Sequence, residues 1–282
     1  MPGFRHEIDC RAHHRLGNKM TAGHMMSVIN FLIQKSPSSL KKIGYMALFR
    51  RRKIKDPGPF VDVVRGRHGL EIGGPSIFFD LSLPLYRHAA SIDGANFSQE
   101  TLWEKQIDTT APYKYFNKRF GRQLILEATN LSVIDSEKYD FILSCHSLEH
   151  VANPLKALRE WHRVLKINGS LVIAVPNKDA IFDHRREVTP FSHLQQDEEL
   201  ETEETDLSHL AEILEFHDLS RDKAAGSFED FVARSLDNAN IRGLHHHVFD
   251  SETIAKCIET AGFTLTLQNS SYYDHLLLCQ KR

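Results

Sequence analysis

Two loops carry residue types that can move protons and grip a nucleoside. Cys145-His146-Ser147 is followed by His150, and Asp183-His184 stands beyond the next apolar run. Histidine titrates nearest neutrality, so each of these rings is a candidate general base for a hydroxyl proton. His146 ranks first, because it falls at the end of an apolar run. His184 ranks second, and His150 ranks third, with packing around Glu149 as its more ordinary role. Upstream, Glu71-Ile72-Gly73-Gly74 combines an acid with glycines that let backbone approach a ligand closely. About twenty residues later comes Asp93, where an acid at a strand end accepts hydrogen bonds from ribose hydroxyls.

These residues need a scaffold, and the hydrophobic pattern supplies one. Tyr139–Ser144 is a nearly unbroken apolar run, as expected of a strand buried on both faces of a parallel sheet. Asn153 can cap a helix that has Pro154 at its first position. Leu155, Leu158, Trp161 and Leu165 then recur at helical spacing until Asn168-Gly169. Ser170–Val175 reads as a second buried strand, so the segment is a βαβ unit of adjacent parallel strands. His68–Gly74, Arg87–Asp93 and Gly121–Glu127 read as three earlier strands, with a helix opening at Pro75-Ser76. Phe263–Gln268 and His275–Gln280 read as a closing antiparallel pair after a helix capped by Asp250, with Phe249 and Ile254 as its staple. The order predicts a doubly wound, Rossmann-like α/β fold: a mostly parallel sheet with an antiparallel C-terminal strand, an N-terminal helical arm and an inserted lid. Ligands of such sheets sit at the carboxyl ends of the strands, where the candidate loops fall.

Around this core, four parts are expected: a helical basic arm (1–60), a cofactor-binding core (61–178), a lid or substrate insertion (179–248) and the rest of the core (249–282). Met25, Val28, Ile29 and Leu32 lie on one helical face within the arm, and Leu40–Phe49 reads as a second helix. The run from Arg50 to Lys55 is a candidate contact for anionic membrane, set against the plainer reading of a solvated face. The 282 residues carry 41% hydrophobic and 26% charged side chains with a net charge of -2, an ordinary globular composition without the basic excess that nucleic acid demands. Four scattered cysteines form no CxxC pair, and no leader or spanning run is apparent, which predicts a reducing cytoplasm. Among 17 histidines, His193 and His245-His246-His247 also fall in loops, yet no HExxH or similar spacing occurs, so no metal ligand set is assigned.

Taken together, the chain resembles the class I S-adenosylmethionine-dependent methyltransferases, over roughly residues 66–180 and 249–282. LEIGG at 70–74 is similar to their first motif and SID at 91–93 to the acidic end of strand 2. LEATNLSVI at 126–134 resembles the adenine-binding segment, and YDFILSCHSLEHVANP at 139–154 the segment after strand 4. LKINGSLVIAVPN at 165–177 resembles the approach to strand 5. Pro75-Ser76 departs from the further small residues usual in the first motif. The resemblance implies S-adenosylmethionine as cofactor, held by Glu71, Gly73, Gly74, Asp93, Glu127, Ala128 and Cys145. Glu71 could act by contact or through loop geometry. VPNKDAIFDHRREVTPFSH at 175–193 is similar to a subgroup with an LEIGPS-type first motif, often associated with surface polysaccharides. That likeness implies O-methylation of a sugar or similar small polar hydroxyl. The alternatives are a lipid-like or secondary-metabolite acceptor, and a catalytically silent cofactor-binding or partner-binding module. A dinucleotide enzyme fits less well, because the first turn lacks GxGxxG.

Overall fold

The computed structural model describes residues 53–102 and 105–282. The helices expected within 20–49, and residues 50–52 of the basic run, lie outside the described residues. The main sheet has seven strands: β1 (His68–Ile72), β2 (Ser91–Asn96), β3 (Gln123–Ile125), β4 (Tyr139–Cys145), β5 (Leu165–Pro176), β6 (Phe263–Ser270) and β7 (Asp274–Lys281). Their spatial order is β3-β2-β1-β4-β5-β7-β6. The first five run parallel, and β7 lies antiparallel to both β5 and β6. This is the Rossmann-like architecture expected from the sequence.

Because a strand alternates its side chains, the central strands feed two apolar layers at once. Ile142, Leu171, Ile173, Val175 and Leu277 face one layer, and Phe141, Leu143, Val172, Ala174 and Leu276 face the other. On the first side, α2 (Pro154–Val164) delivers Leu155, Leu158 and Trp161, and α6 (Ser251–Thr260) delivers Ile254, Cys257 and Ile258. On the second, α1 (Gly58–Val64) delivers Phe60 and Val64, joined by Phe79, Leu85 and Tyr86. Between α2 and α6 stand α3 (Phe191–Glu199), α4 (Leu210–Phe216) and α5 (Phe228–Leu236), the last two around a small core of Ile213, Phe231 and Leu244.

The caps formed where the sequence put them. Asn153 accepts from the Lys156 backbone N–H at 3.0 Å, and Asp250 accepts from Glu252 and Thr253 at 3.1 and 2.7 Å. Three elements differ. Helix α2 ends at Val164 and β5 starts directly at Leu165, with Asn168 at φ 62° inside the strand, where a helix running to Asn168 was expected. After β1 there is a five-residue π-helical turn, Phe78–Ser82, instead of a regular helix, and Pro84 follows closely. Strand β2 runs to Asn96, three residues past the expected end at Asp93.

Trp161 is fully buried and donates from Nε1 to the Ala128 carbonyl at 3.0 Å, joining α2 to the end of β3. Trp161→Ala is expected to cost about 3–5 kcal/mol of stability. The drop should be read as a lower midpoint in urea unfolding.

Candidate active site

The carboxyl ends of β3, β2, β1 and β4 enclose a narrow crevice of about 40 Å³. Gly73 stands at its floor, with Ala95, Asn96 and Phe97 from the end of β2, and Leu126, Glu127 and Ala128 from the end of β3. Ser147, His150 and Val151 follow β4, and Arg242 arrives from far along the chain. Gly73 has φ +75°, and a Cβ there would stand 2.2 Å from Ser147 Oγ, so the turn needs glycine twice over. Ser147 Oγ in turn donates to the Ile72 carbonyl at 3.1 Å.

Glu71 lies beneath this turn and not in the crevice. Its carboxylate is fully buried and accepts from Tyr86 Oη at 2.7 Å, Tyr113 Oη at 2.7 Å and the Ser76 backbone N–H at 3.1 Å. Burial and the adjacent Glu71 charge push the Tyr86 phenol well above its ordinary pKa, so it remains a donor. The Gly74 carbonyl accepts from Asn96 Nδ2 at 3.0 Å, which ties the turn to the end of β2.

Asp93 is placed differently from expectation. It pairs in register with Leu70, and its carboxylate accepts from the Arg122 backbone N–H at 2.8 Å, Arg122 Nε at 3.0 Å and Tyr139 Oη at 2.8 Å. It does not line the crevice, where Asn96 holds the strand-end position. Strand β2 continues past it through Gly94, where a Cβ would meet the Tyr113 ring at 2.3 Å. Cys145 also points away, packing in the layer around Phe79 and Tyr86, and burial raises its thiol pKa.

Arg242 closes the crevice. Its guanidinium lies 4.8 Å over the Phe97 ring and pairs with Glu127 and with Glu204, each at 2.7 Å. Burial raises the pKa of Glu127 against the opposing pull of Arg242. The same burial carries Glu204 up to about 7. Glu127 and Arg242 also line a neighbouring cleft of about 910 Å³ that is rich in Lys, Arg and Glu side chains.

The three candidate bases stand in different settings. His146, one residue before Ser147, has φ 51° and lies 2.6 Å through Nε2 from Asp274 Oδ1, with 39% of its side chain exposed. His150 lines the crevice, but its Nδ1 meets the Leu244 carbonyl at 2.8 Å, and burial drives its pKa well below the usual value. It is a neutral ring. His184 sits 2.9 Å from Asp218. Burial would raise Asp218, but hydrogen bonds from Ser220 and His184 outweigh that and hold it at about 2. Asp183, beside it, is turned to His245 at 2.5 Å and Arg186 at 3.1 Å. Glu149 is buried with neither carboxylate oxygen hydrogen-bonded, and burial raises its pKa. With His150 and His245 it offers ligand atoms within 4.8 Å of one another.

Residues 56–268 match the family model of a methyltransferase domain. The chain belongs to that family. It is a class I methyltransferase with S-adenosylmethionine as its methyl donor. Solved structures similar to this methyltransferase include an S-adenosylmethionine-dependent methyltransferase from Aquifex aeolicus, 13% identical, covering 84% of this chain and 98% of that one, with a TM-score of 0.45. Another, from Mesorhizobium loti, is 13% identical over 83% and 96% of the two chains, with a TM-score of 0.45. A third, from Methanosarcina mazei, is 14% identical over 79% and 97%, with a TM-score of 0.42. No curated protein matches the methyltransferase significantly. Among the described residues, no helix is long and apolar enough to cross a membrane.

Sequence reasoning missed Asn96, Phe97, Ser147 and Arg242. The first two were hidden by the misjudged end of β2. Arg242 carries no local signal, since it reaches Glu127 across 115 positions of chain. The raised pKa of Glu204 has a consequence for stability. A carboxyl raised from 4.5 to about 7 stabilises the fold while protonated, fully below about pH 4.5, and that contribution is lost as pH rises through 7. Glu204→Gln should flatten this fall, by on the order of 2 kcal/mol. Urea unfolding of both proteins across that pH window checks it.

Proposed function

We propose that this methyltransferase methylates a hydroxyl oxygen of a sugar or similar small polar acceptor, with His146 as base and Asp274 as its orienting partner. The observation that carries the reading is the 2.6 Å His146–Asp274 contact at the carboxyl edge of the sheet, where β4 and β5 end and β7 begins. Asp274 fixes the ring, as the carboxylate of a catalytic triad does. With Nε2–H donated to Asp274, the acceptor's proton would be taken at Nδ1. The surroundings are polar. Asn177, at the end of β5, donates from Nδ2 to the Ser271 carbonyl at 3.1 Å and from its backbone to the Tyr273 carbonyl at 2.9 Å. Such an edge suits a hydroxylated acceptor better than an acyl chain.

The residues around the crevice described above offer the groups the donor needs. Gly73 leaves the close approach a nucleoside needs, Asn96 and Glu127 offer polar groups suited to ribose, and Leu126, Ala128 and Val151 give apolar walls for a base. When bound, S-adenosylmethionine supplies an electrophilic methyl on a sulfonium sulfur. The chain's task is alignment and proton removal, and orientation alone can supply on the order of 7–11 kcal/mol. Glu71 serves by holding the turn. Residues 179–248 act as the lid, contributing Arg242 to the crevice and His184 to the acceptor side.

Two experiments bear on this reading. Asn96→Ala should weaken S-adenosylhomocysteine binding about tenfold, while Asp93→Ala lowers stability and leaves that affinity within a factor of about three. The reverse ranking by calorimetry would return the ribose contact to Asp93. His146→Ala should cut turnover on a hydroxyl acceptor by roughly a hundredfold or more without changing S-adenosylhomocysteine affinity. Methylated product is followed by mass spectrometry over a panel of glycosides, lipid-like hydroxyls and amines. Turnover that survives in both His146→Ala and His184→Ala rules out a histidine base, and product on amines alone rules out the hydroxyl acceptor.

A further inference from the structure

Away from the crevice, three histidines and a carboxylate from separate segments meet. His193 and Asp197 stand one turn apart on α3, His209 precedes α4, and His247 lies just before the cap of α6. Nε2 of His193 is 2.9 Å from Nε2 of His209 and 3.4 Å from Oδ2 of Asp197. Nε2 of His247 lies 3.6 Å from the same Oδ2, and the three histidines offer ligand atoms that all lie within 4.8 Å of one another. Four ligands around zinc at roughly 2.0–2.1 Å stand about 3.3–3.4 Å apart in a tetrahedron. The contacts of 2.9, 3.4 and 3.6 Å bracket that spacing.

Hydrogen bonding alone does not account for these atoms. The two facing imidazole nitrogens can share one proton. That leaves Asp197 Oδ2 and His247 Nδ1 buried without a hydrogen-bond partner, and the His247 side chain is only 1% exposed. The second nitrogen of His209 is held as in ligand histidines, whose second nitrogen meets a carboxylate or carbonyl. Nδ1 of His209 faces Glu212 Oε2 at 3.4 Å, and Nε2 of His247 donates to the Ala152 carbonyl at 3.1 Å. Asp197 Oδ1 accepts from Thr202 Oγ1 at 3.1 Å.

We propose that His193, His209, His247 and Asp197 bind one divalent transition-metal ion, zinc by preference. Imidazole nitrogens with a single carboxylate suit zinc, whereas magnesium and calcium take oxygen-rich sets. With four protein ligands the site is structural. It fastens α3 and the approach to α6 onto the loop after β4. There Asn153 Nδ2 donates to the Asp197 carbonyl at 2.9 Å, and the His247 backbone N–H donates to the Glu149 carbonyl at 3.3 Å. That loop carries Ser147 and His150 in the crevice. The ion therefore locks a wall of the donor site without touching the donor. His193 and His247 stood out as loop histidines, but the ligand spacings match no metal motif.

The test uses the full chain, stripped with a chelator and titrated with zinc, then with cobalt(II). One equivalent of zinc should bind, and cobalt should show the intense visible bands of four-coordinate geometry. His209→Ala and Asp197→Asn should each weaken zinc binding at least about tenfold, with far-ultraviolet circular dichroism unchanged. If those variants fail to fold, the wild-type cobalt spectrum decides: four-coordinate bands support the site, and weak six-coordinate bands overturn it. No uptake by the wild-type chain also overturns it. So does uptake that survives His209→Ala in folded protein, including uptake lost instead in Glu149→Gln, which would place the ion on Glu149, His150 and His245.

Discussion

A carboxylate buried at the end of the central strand must find donors or lose its charge, and Glu71 finds them in two separate segments. Tyr86 and the Ser76 backbone converge on it from the loop after β1, and Tyr113 from a hairpin that pairs Tyr113–Phe116 with Arg119–Gly121 before β3. The turn above is then held in one shape, with Gly73 at positive φ under Ser147 and the Gly74 carbonyl bound to Asn96. The floor of the crevice follows from that network. A methyltransferase that must present a sulfonium methyl in line with its acceptor gains from such rigidity, since alignment supplies much of the rate.

The remaining walls depend on a second buried charge. Arg242 is nearly inaccessible, and two glutamates and the Phe97 ring share its guanidinium. Truncating one partner of such a group leaves the others unpaired in a poorly solvated place. Within the acidic stretch from Asp197 to Asp206, Glu204 faces inward to Arg242 and the Ala152 backbone. The segment between β5 and α6 owes its order largely to polar contacts of this kind, around a small apolar core.

The doubly wound class, the βαβ unit around α2, both principal helix caps and the antiparallel ending were legible in the sequence. Each rests on a local rule: an apolar run, a 3.6-residue period, an Asn or Asp before a first turn. The family followed from motifs at strand ends, which local order also fixes. Strand limits were less legible. Strand β2 runs on to Asn96, so Asp93, the acid expected at its end, lies inside the strand opposite Leu70.

Local pattern was enough to give the class of fold and the family. Which side chains meet one another came only with the folded chain. His146 gained Asp274 across 128 positions, Arg242 met Glu127 across 115, and His193, His209 and His247 converged from three segments. The reason is physical. Apolar periodicity records which face of an element is buried, but a charge or an imidazole carries no mark of its partner until burial strips away water and forces a choice.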